Sequence, residues 1–192
     1  QIMRFLILAL LLFVPSLAVA DMDPAVQGKK AENFVESLGN EAIAALDSTI
    51  GDDDARRAEF KRILIDKFDM DTIARFSLGR YWTLATDAEK RDYNRLFRKM
   101  VVDVYTKRFA EYNNQTLEVT GHRPAGRRDF IVQSVVRGSG QPVRVDWRVR
   151  NNKVIDVIVE GVSMSVTQRN DFASVIQRNG GQVAALIDHL KK

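Results

Sequence analysis

The sequence predicts an α+β domain: a four-stranded antiparallel sheet with helices packed on one face. Three observations carry that expectation. Residues 143–150 alternate without a break, with Val143, Val145, Trp147 and Val149 on one side and Arg144, Asp146, Arg148 and Arg150 on the other. That is the period of a strand with one dry and one wet face. Four strand-length segments follow one another at short intervals, as in an antiparallel sheet. The flanking segments instead repeat their apolar positions at helical spacing.

The first helical pattern covers residues 29–50, with Phe34, Val35, Leu38, Ala42, Ala45 and Leu46 on one stripe. Gly51 and three aspartates then form a turn whose last acid, Asp54, can cap the next helix. Residues 55–68 place Phe60, Ile63, Leu64 and Phe68 together, and Asp71 opens a short helix ending at Leu78. Thr86 or Asp87 opens a long helix to about Tyr112. It carries two stripes: Tyr93, Leu96, Phe97, Met100, Val101 and Val104, and beside them Val102, Tyr105, Phe109 and Tyr112. Two apolar stripes require cover on more than one side.

The strands are read as residues 116–121, 129–137, 143–150 and 153–160. Asn151-Asn152 suits a two-residue hairpin with positive φ, and Gly138-Ser139-Gly140 is also turn chemistry. The fourth strand is nearly continuous in β-branched residues: Val154, Ile155, Val157, Ile158 and Val159. Gly161 then marks a bulge or a close backbone approach. Asp171, Phe172, Val175 and Ile176 recur at helical spacing until Gly180-Gly181 stops the helix.

Residues 1–20 predict an export signal. Arg4 is the positive start, residues 5–14 the apolar core, and Ala18-Val19-Ala20 the cleavage site. The apolar core is shorter than the roughly 20 residues a spanning helix needs. The expected organisation is a signal peptide over 1–20, cleaved after Ala20, and a single ligand-binding domain over 21–192 in the periplasm. The sequence contains no cysteine, which excludes disulfides and thiol chemistry. A net charge of +4 is too mild to call for nucleic acid.

Reactive groups are sparse. The two histidines, His122 and His189, do not make a metal site of the His-rich kind, and no HExxH occurs. The sequence around Asp69 and Asp71 reads as helix capping rather than as a phosphate-accepting pair. Gly161-Val162-Ser163-Met164-Ser165 misses the second glycine of a nucleophile elbow. Arg137, Arg144, Arg148, Arg150 and Lys153 fall on the wet side of the sheet, either as a solvated face or as a docking surface for anionic headgroups. A chain ordering this much apolar surface beside so little chemistry is built to hold something rather than convert it.

Three segments carry a family resemblance. They are the run Glu160-Gly161-Val162-Ser163-Met164 with Gln168-Arg169-Asn170-Asp171-Phe172, the run Phe76-Ser77-Leu78-Gly79-Arg80-Tyr81-Trp82, and the helical stretch from Phe97 to Tyr112. In order and spacing they resemble the MlaC-like family, periplasmic phospholipid-binding proteins of the lipid-asymmetry, or toluene-tolerance, ABC transport system. The resemblance spans roughly residues 30–190. It departs at Gln168, where the family pattern commonly has Tyr.

The resemblance implies a curved four-stranded sheet wrapped by helices, with a lipid pocket between them. It implies that Tyr105, with Val102 and Phe109 on its stripe, lines the pocket beside Val145, Trp147 and Val149 of the strands and Val162 and Met164 after the Gly161 break. Tyr81 and Trp82 fall near the rim. It implies a phospholipid ligand with two acyl chains, and no cofactor, metal or catalysis. The implied partners are an inner-membrane ABC transporter lipid-binding complex, an outer-membrane lipoprotein complex and transient contact with membrane surfaces. The competing readings are a non-catalytic periplasmic interaction or assembly module with a solid core, and an exported hydrolase using Ser163.

Overall fold

The computed structural model describes residues 23–109 and 115–192. The expected signal peptide lies outside the described residues, as does the expected helix end near Tyr112. In chain order the elements are α1 (Pro24–Ser48), α2 (Asp53–Lys67), α3 (Met70–Leu78), a 3₁₀ turn (Gly79–Thr83) and α4 (Asp87–Phe109). Strands β1 (Thr116–Pro124), β2 (Phe130–Arg137), β3 (Val143–Arg150), β4 (Lys153–Val159) and β5 (Val162–Ser163) follow, and then α5 (Met164–Arg178) and α6 (Val183–Leu190). The sheet is an antiparallel meander in the order β1-β2-β3-β4-β5. The fold class matches the expectation, with five strands instead of four.

The helix starts are set by side-chain oxygens. Asp23 accepts from Ala25 N with Pro24 in the first turn, and Asp52, not Asp54, caps α2 through Ala55 N at 2.9 Å. Asp69, not Asp71, caps α3 by accepting from both Thr72 N and Thr72 Oγ1. Asp71 instead accepts from Arg98 at 2.6 Å. Thr86 and Glu89 form a reciprocal capping box ahead of α4. Gly161 is not a bulge. With Glu160 it supplies two positive φ values, 48° and 82°, and so makes the tight turn from β4 into β5. Asn151 and Asn152 do the same between β3 and β4, at 49° and 55°.

Two bulges bend the sheet. Thr120 is left over where Val119 pairs with Ser134 and Gly121 with Gln133. Ile155 is left over where Arg148 pairs with Asp156 and Val149 with Val154. Each extra residue adds local twist and tilts its strand away from the mean plane.

The apolar interior divides into a helical part and a sheet part. In the helical part, Tyr93, Phe97 and Phe172 pack with ring centroids 5.7–6.2 Å apart. Tyr93 is fully buried, and its hydroxyl donates to Ala74 O at 2.8 Å. In the sheet part, the first half of α1 sets Ala31 and Val35 on Phe130, Val132 and Val149. Val154 joins Leu38, Ala45 and Ile63. A single backbone seam ties the α2–α3 junction to β4: Phe68 bridges Val154, and Asp69 N donates to Val154 O at 2.9 Å.

The wet side of the sheet is internally paired. Asp129, buried just before β2, accepts from Arg148 and twice from Arg150, at 2.6–3.0 Å. Arg137 pairs with Glu118, and Lys153 donates to the Asp66 carbonyl. Four of the five cations read from the sequence, all but Arg144, are thus engaged within the chain. Burial alone would raise the Asp129 carboxyl, but the hydrogen bonds from Arg150 and Arg148 outweigh it and hold it below the usual carboxylate range. Its contribution to stability is full above the unfolded value of about 4 and is lost as the pH falls through the lower native value. Asp129→Asn is expected to destabilise by about 1–3 kcal/mol at neutral pH, less than for a fully buried pair because both guanidinium groups reach solvent. In urea denaturation, the gap between wild type and variant should close as the pH is lowered past that window.

Candidate ligand-binding cavity

Between the helical layer and the sheet lies a cavity of about 550 Å³ that opens to the surface. Packed protein interiors keep few voids larger than a water molecule, so this volume is not a packing defect. It falls within the 300–1,000 Å³ typical of ligand sites.

Sequence spacing builds its walls. On α4, Phe97, Val101 and Tyr105 stand four residues apart and face the space together. On α1, Leu38, Ala42 and Leu46 do the same, with Gly39 and Ile43 beside them. Phe60, Ile63 and Leu64 of α2 close the helical end. The sheet contributes alternate residues of each strand: Leu117, Val136, Val145, Trp147, Val157 and Val159. Small residues help keep the space open. A Cβ at Gly39 would come within 3.2 Å of Leu117.

Burial falls along the strands from one end to the other. Phe130, Val149 and Val154 are buried at one end, Trp147 and Val157 are half-buried, and Val143 is exposed at the other. The same inward-facing register loses cover from residue to residue because the helices diverge from the sheet. The cavity therefore opens toward the Val136, Val143 and Val159 end.

Polar groups at the wall are few and mostly engaged. Trp147 Nε1 donates to Ser134 Oγ at 3.0 Å, and Ser134 donates onward to the Val145 carbonyl. The indole's polar edge is satisfied inside the sheet, and its apolar face is left for the cavity. Asp156 accepts from Ser163 Oγ, Ser165 N and its neighbour Val157 N, so it clamps the β5–α5 junction to β4. Among the described residues, no Lys or Arg lines the space. Such walls suit hydrocarbon and would hold a charged group only at the opening.

The residues singled out from sequence divide accordingly. Tyr105, Val145, Trp147 and Met164 line the cavity. Val149 does not: it is sealed at the closed end under α1. Val102 points from α4 into the helical core, 100° round the helix from Val101. Val162 is 57% exposed on the two-residue strand β5. Tyr81 is buried in the helical core, with its hydroxyl accepting from Arg80, and Trp82 lies under Arg75 and Lys90. The side chain of Phe109 lies outside the described residues. The α1 and α2 walls, Phe97 and Val101 carry no sequence signal of their own for a ligand site, because a cavity face and a core face share the same apolar periodicity. Gln168, where the family pattern commonly has Tyr, also lines the wall.

The hydrolase reading finds no support at Ser163. Its Oγ donates to Asp156 at 2.5 Å and accepts from Val166 N, which makes it the N-cap of α5.

Comparison with known proteins places this geometry. The family model described as "MlaC protein" matches residues 36–192. This chain belongs to the MlaC family. It is 28% identical over 196 residues to toluene tolerance protein ttg2D of Pseudomonas putida, a match covering 98% of this chain and 89% of that protein. Among solved structures, it is similar to a phospholipid-binding protein from Ralstonia solanacearum in complex with a phospholipid. That similarity has a TM-score of 0.75 and 27% identity, over 84% of this chain and 94% of the other. The MlaC family match takes in every cavity-lining residue named here, from Leu38 to Gln168.

Filling the void from within gives a direct check on its emptiness. Ala42→Phe adds a ring to the α1 wall without adding charge. It is expected to raise the stability of the ligand-free protein by about 0.5–2 kcal/mol in urea denaturation. A loss of stability would mean that the wall is already packed.

Proposed function

We propose that this MlaC-family chain is a periplasmic phospholipid carrier. It holds two acyl chains in the cavity and leaves the headgroup at the opening. It exchanges lipid with an outer-membrane lipoprotein complex and an inner-membrane ABC transporter complex. The observation that carries the reading is the open, largely apolar cavity of about 550 Å³. The phospholipid-bound relative and the expected export signal support it.

The energetics agree with a carrier. Each methylene moved out of water contributes about 0.8 kcal/mol. Two chains of about 15 carbons would gain on the order of 20 kcal/mol, near the ceiling of noncovalent affinity. Such a protein competes with membranes rather than with water, and its unassisted release is slow. Docking partners that lower the release barrier are then a physical requirement. Selection would rest on the tails, since among the described residues no cation lines the space to read a phosphate. Nothing in this scheme calls for bond chemistry. A solid-cored interaction module is the weaker reading, because it would carry this void as a pure loss of packing.

Organic extraction of the purified protein followed by mass spectrometry should yield diacyl phospholipid close to one per chain. Finding none at any stoichiometry would overturn the carrier reading. Val145→Glu and Tyr105→Glu each set a carboxylate against the tails. Both are expected to strip the copurifying lipid from a folded protein. Unchanged lipid content in either would move the tails away from that wall.

A further inference from the structure

The outer side of the α3–α5 wall carries a cluster of cations stacked on rings. Arg80 lies 5.0 Å from the Tyr81 ring centre, and Arg169 lies 5.1 Å from that of Phe76. Arg75 and Lys90 both approach Trp82, at 5.9 and 5.7 Å. The stacking is prepared by the backbone. Gly79 adopts a φ of 59° at the end of α3, and a Cβ there would meet the Arg169 side chain at 2.9 Å. Glycine thus supplies both the turn and the room for Arg169 to cross toward Phe76.

Among the described residues eight other arginines form ion pairs, Arg56 and Arg95 included, whereas Arg75, Arg80 and Arg169, like Arg91, Arg123 and Arg144, form none. Arg57, Arg62, Arg98, Arg137, Arg148 and Arg150 each meet a carboxylate of this protein. Among the described residues, no carboxylate lies within salt-bridge distance of Arg75, Arg80 or Arg169. Residues 72–86 contain two arginines and no acid. Of the nearby acids, Glu89 is held in the α4 capping box, and Asp87 lies 3.6 Å from Lys90. Asp171 stands two positions from Arg169, off its helix face. Leu84, 68% exposed, and Phe76, 41% exposed, lie in the same stretch.

We propose that this patch docks a carboxylate-bearing segment of a partner protein. The inference rests on the carrier reading for the need of a partner, but its observations are separate from the cavity. A guanidinium held over a ring loses little freedom when it forks a carboxylate, and Arg80, which spends one N–H on the Tyr81 hydroxyl, keeps others to offer. Arginine and aromatic side chains beside a few exposed apolar ones are the composition of protein interfaces. A few cations on so little apolar surface would hold an anionic bilayer only weakly. The position adds a consequence. Ile73 and Ser77 of α3 and Gln168 of α5 face the cavity, while Arg75, Phe76 and Arg169 sit on the outside of the same two helices. A partner bound here grips the helices that form one cavity wall.

The test places a photo-crosslinking residue at Leu84 in the full chain, expressed in its native cells, and maps the captured peptide by mass spectrometry. The expected result is one protein, crosslinked through a segment rich in Asp and Glu. Capture should fall about tenfold or more in the Arg75→Glu/Arg169→Glu pair. Arg75→Gln/Arg169→Gln serves if the reversed pair folds poorly. Copurifying lipid should be unchanged in these variants. Crosslinks to lipid alone, a captured segment without acids, no crosslink at all, or a yield indifferent to both pairs would overturn the proposal. So would flotation on phosphatidylglycerol-containing vesicles that the double variant abolishes, which would assign the patch to membranes. If the wild type carries no lipid but the acidic crosslink persists, the carrier reading fails and the docking surface stands.

Discussion

The structure depends on one backbone seam between the helical layer and the sheet, set beside the packing of α1 on the strands. Val154 is where they meet: its side chain is fully buried among Leu38, Ala45 and Ile63, and its carbonyl accepts Asp69 N. From that point the sheet bends away, turned by the extra residues Thr120 and Ile155. The second tie, Asp156 to the β5–α5 junction, holds α5 against β4 while the strands beyond diverge. Two layers joined along one edge and splayed at the other enclose a wedge. Every property of the cavity follows from that shape.

A wedge lined with valine, leucine and phenylalanine is unfavourable when empty, because its walls lack contacts on one side. The fold tolerates this because its stability is placed elsewhere. The aromatic cluster of Tyr93, Phe97 and Phe172 consolidates the helices. The Asp129 pairing with Arg148 and Arg150 stiffens the far face of the sheet. Of these groups only Phe97 borders the space a ligand would take, so filling or emptying the cavity need not unmake them. A ligand binding only the folded form would add stability through mass action.

Charge is distributed in the same spirit. Among the described residues the cavity wall has no cation, the wet face of the sheet largely neutralises its own, and the cluster on α3, the 3₁₀ turn and α5 leaves its arginines without carboxylates. An apolar wall inside and a cluster of arginines outside thus occupy opposite sides of the same helices.

Local pattern sufficed for most of the elements. The alternation of residues 143–150, the paired asparagines and the helical stripes each act within one or two turns of chain, so the α+β class and the four longer strands were legible. Helix α6 carried its own signal in Val183, Leu186, Ile187 and Leu190, although it was not read. Strand β5 has two residues and no pattern to read. The cavity was out of reach for a different reason. Phe97, Val101, Leu38 and Ala42 show the same periodicity whether a neighbour fills the space before them or not. Tyr105, Val145, Trp147 and Met164 were singled out only through family resemblance, which also named Val149, now sealed under α1. By itself, the sequence determined which faces are apolar, roughly where the helices and longer strands lie, and how little reactive chemistry the chain has. Tertiary structure alone decided which apolar faces touch. The distance between two layers is set by bulges, seams and side-chain volumes far apart in the chain, and no local period encodes it.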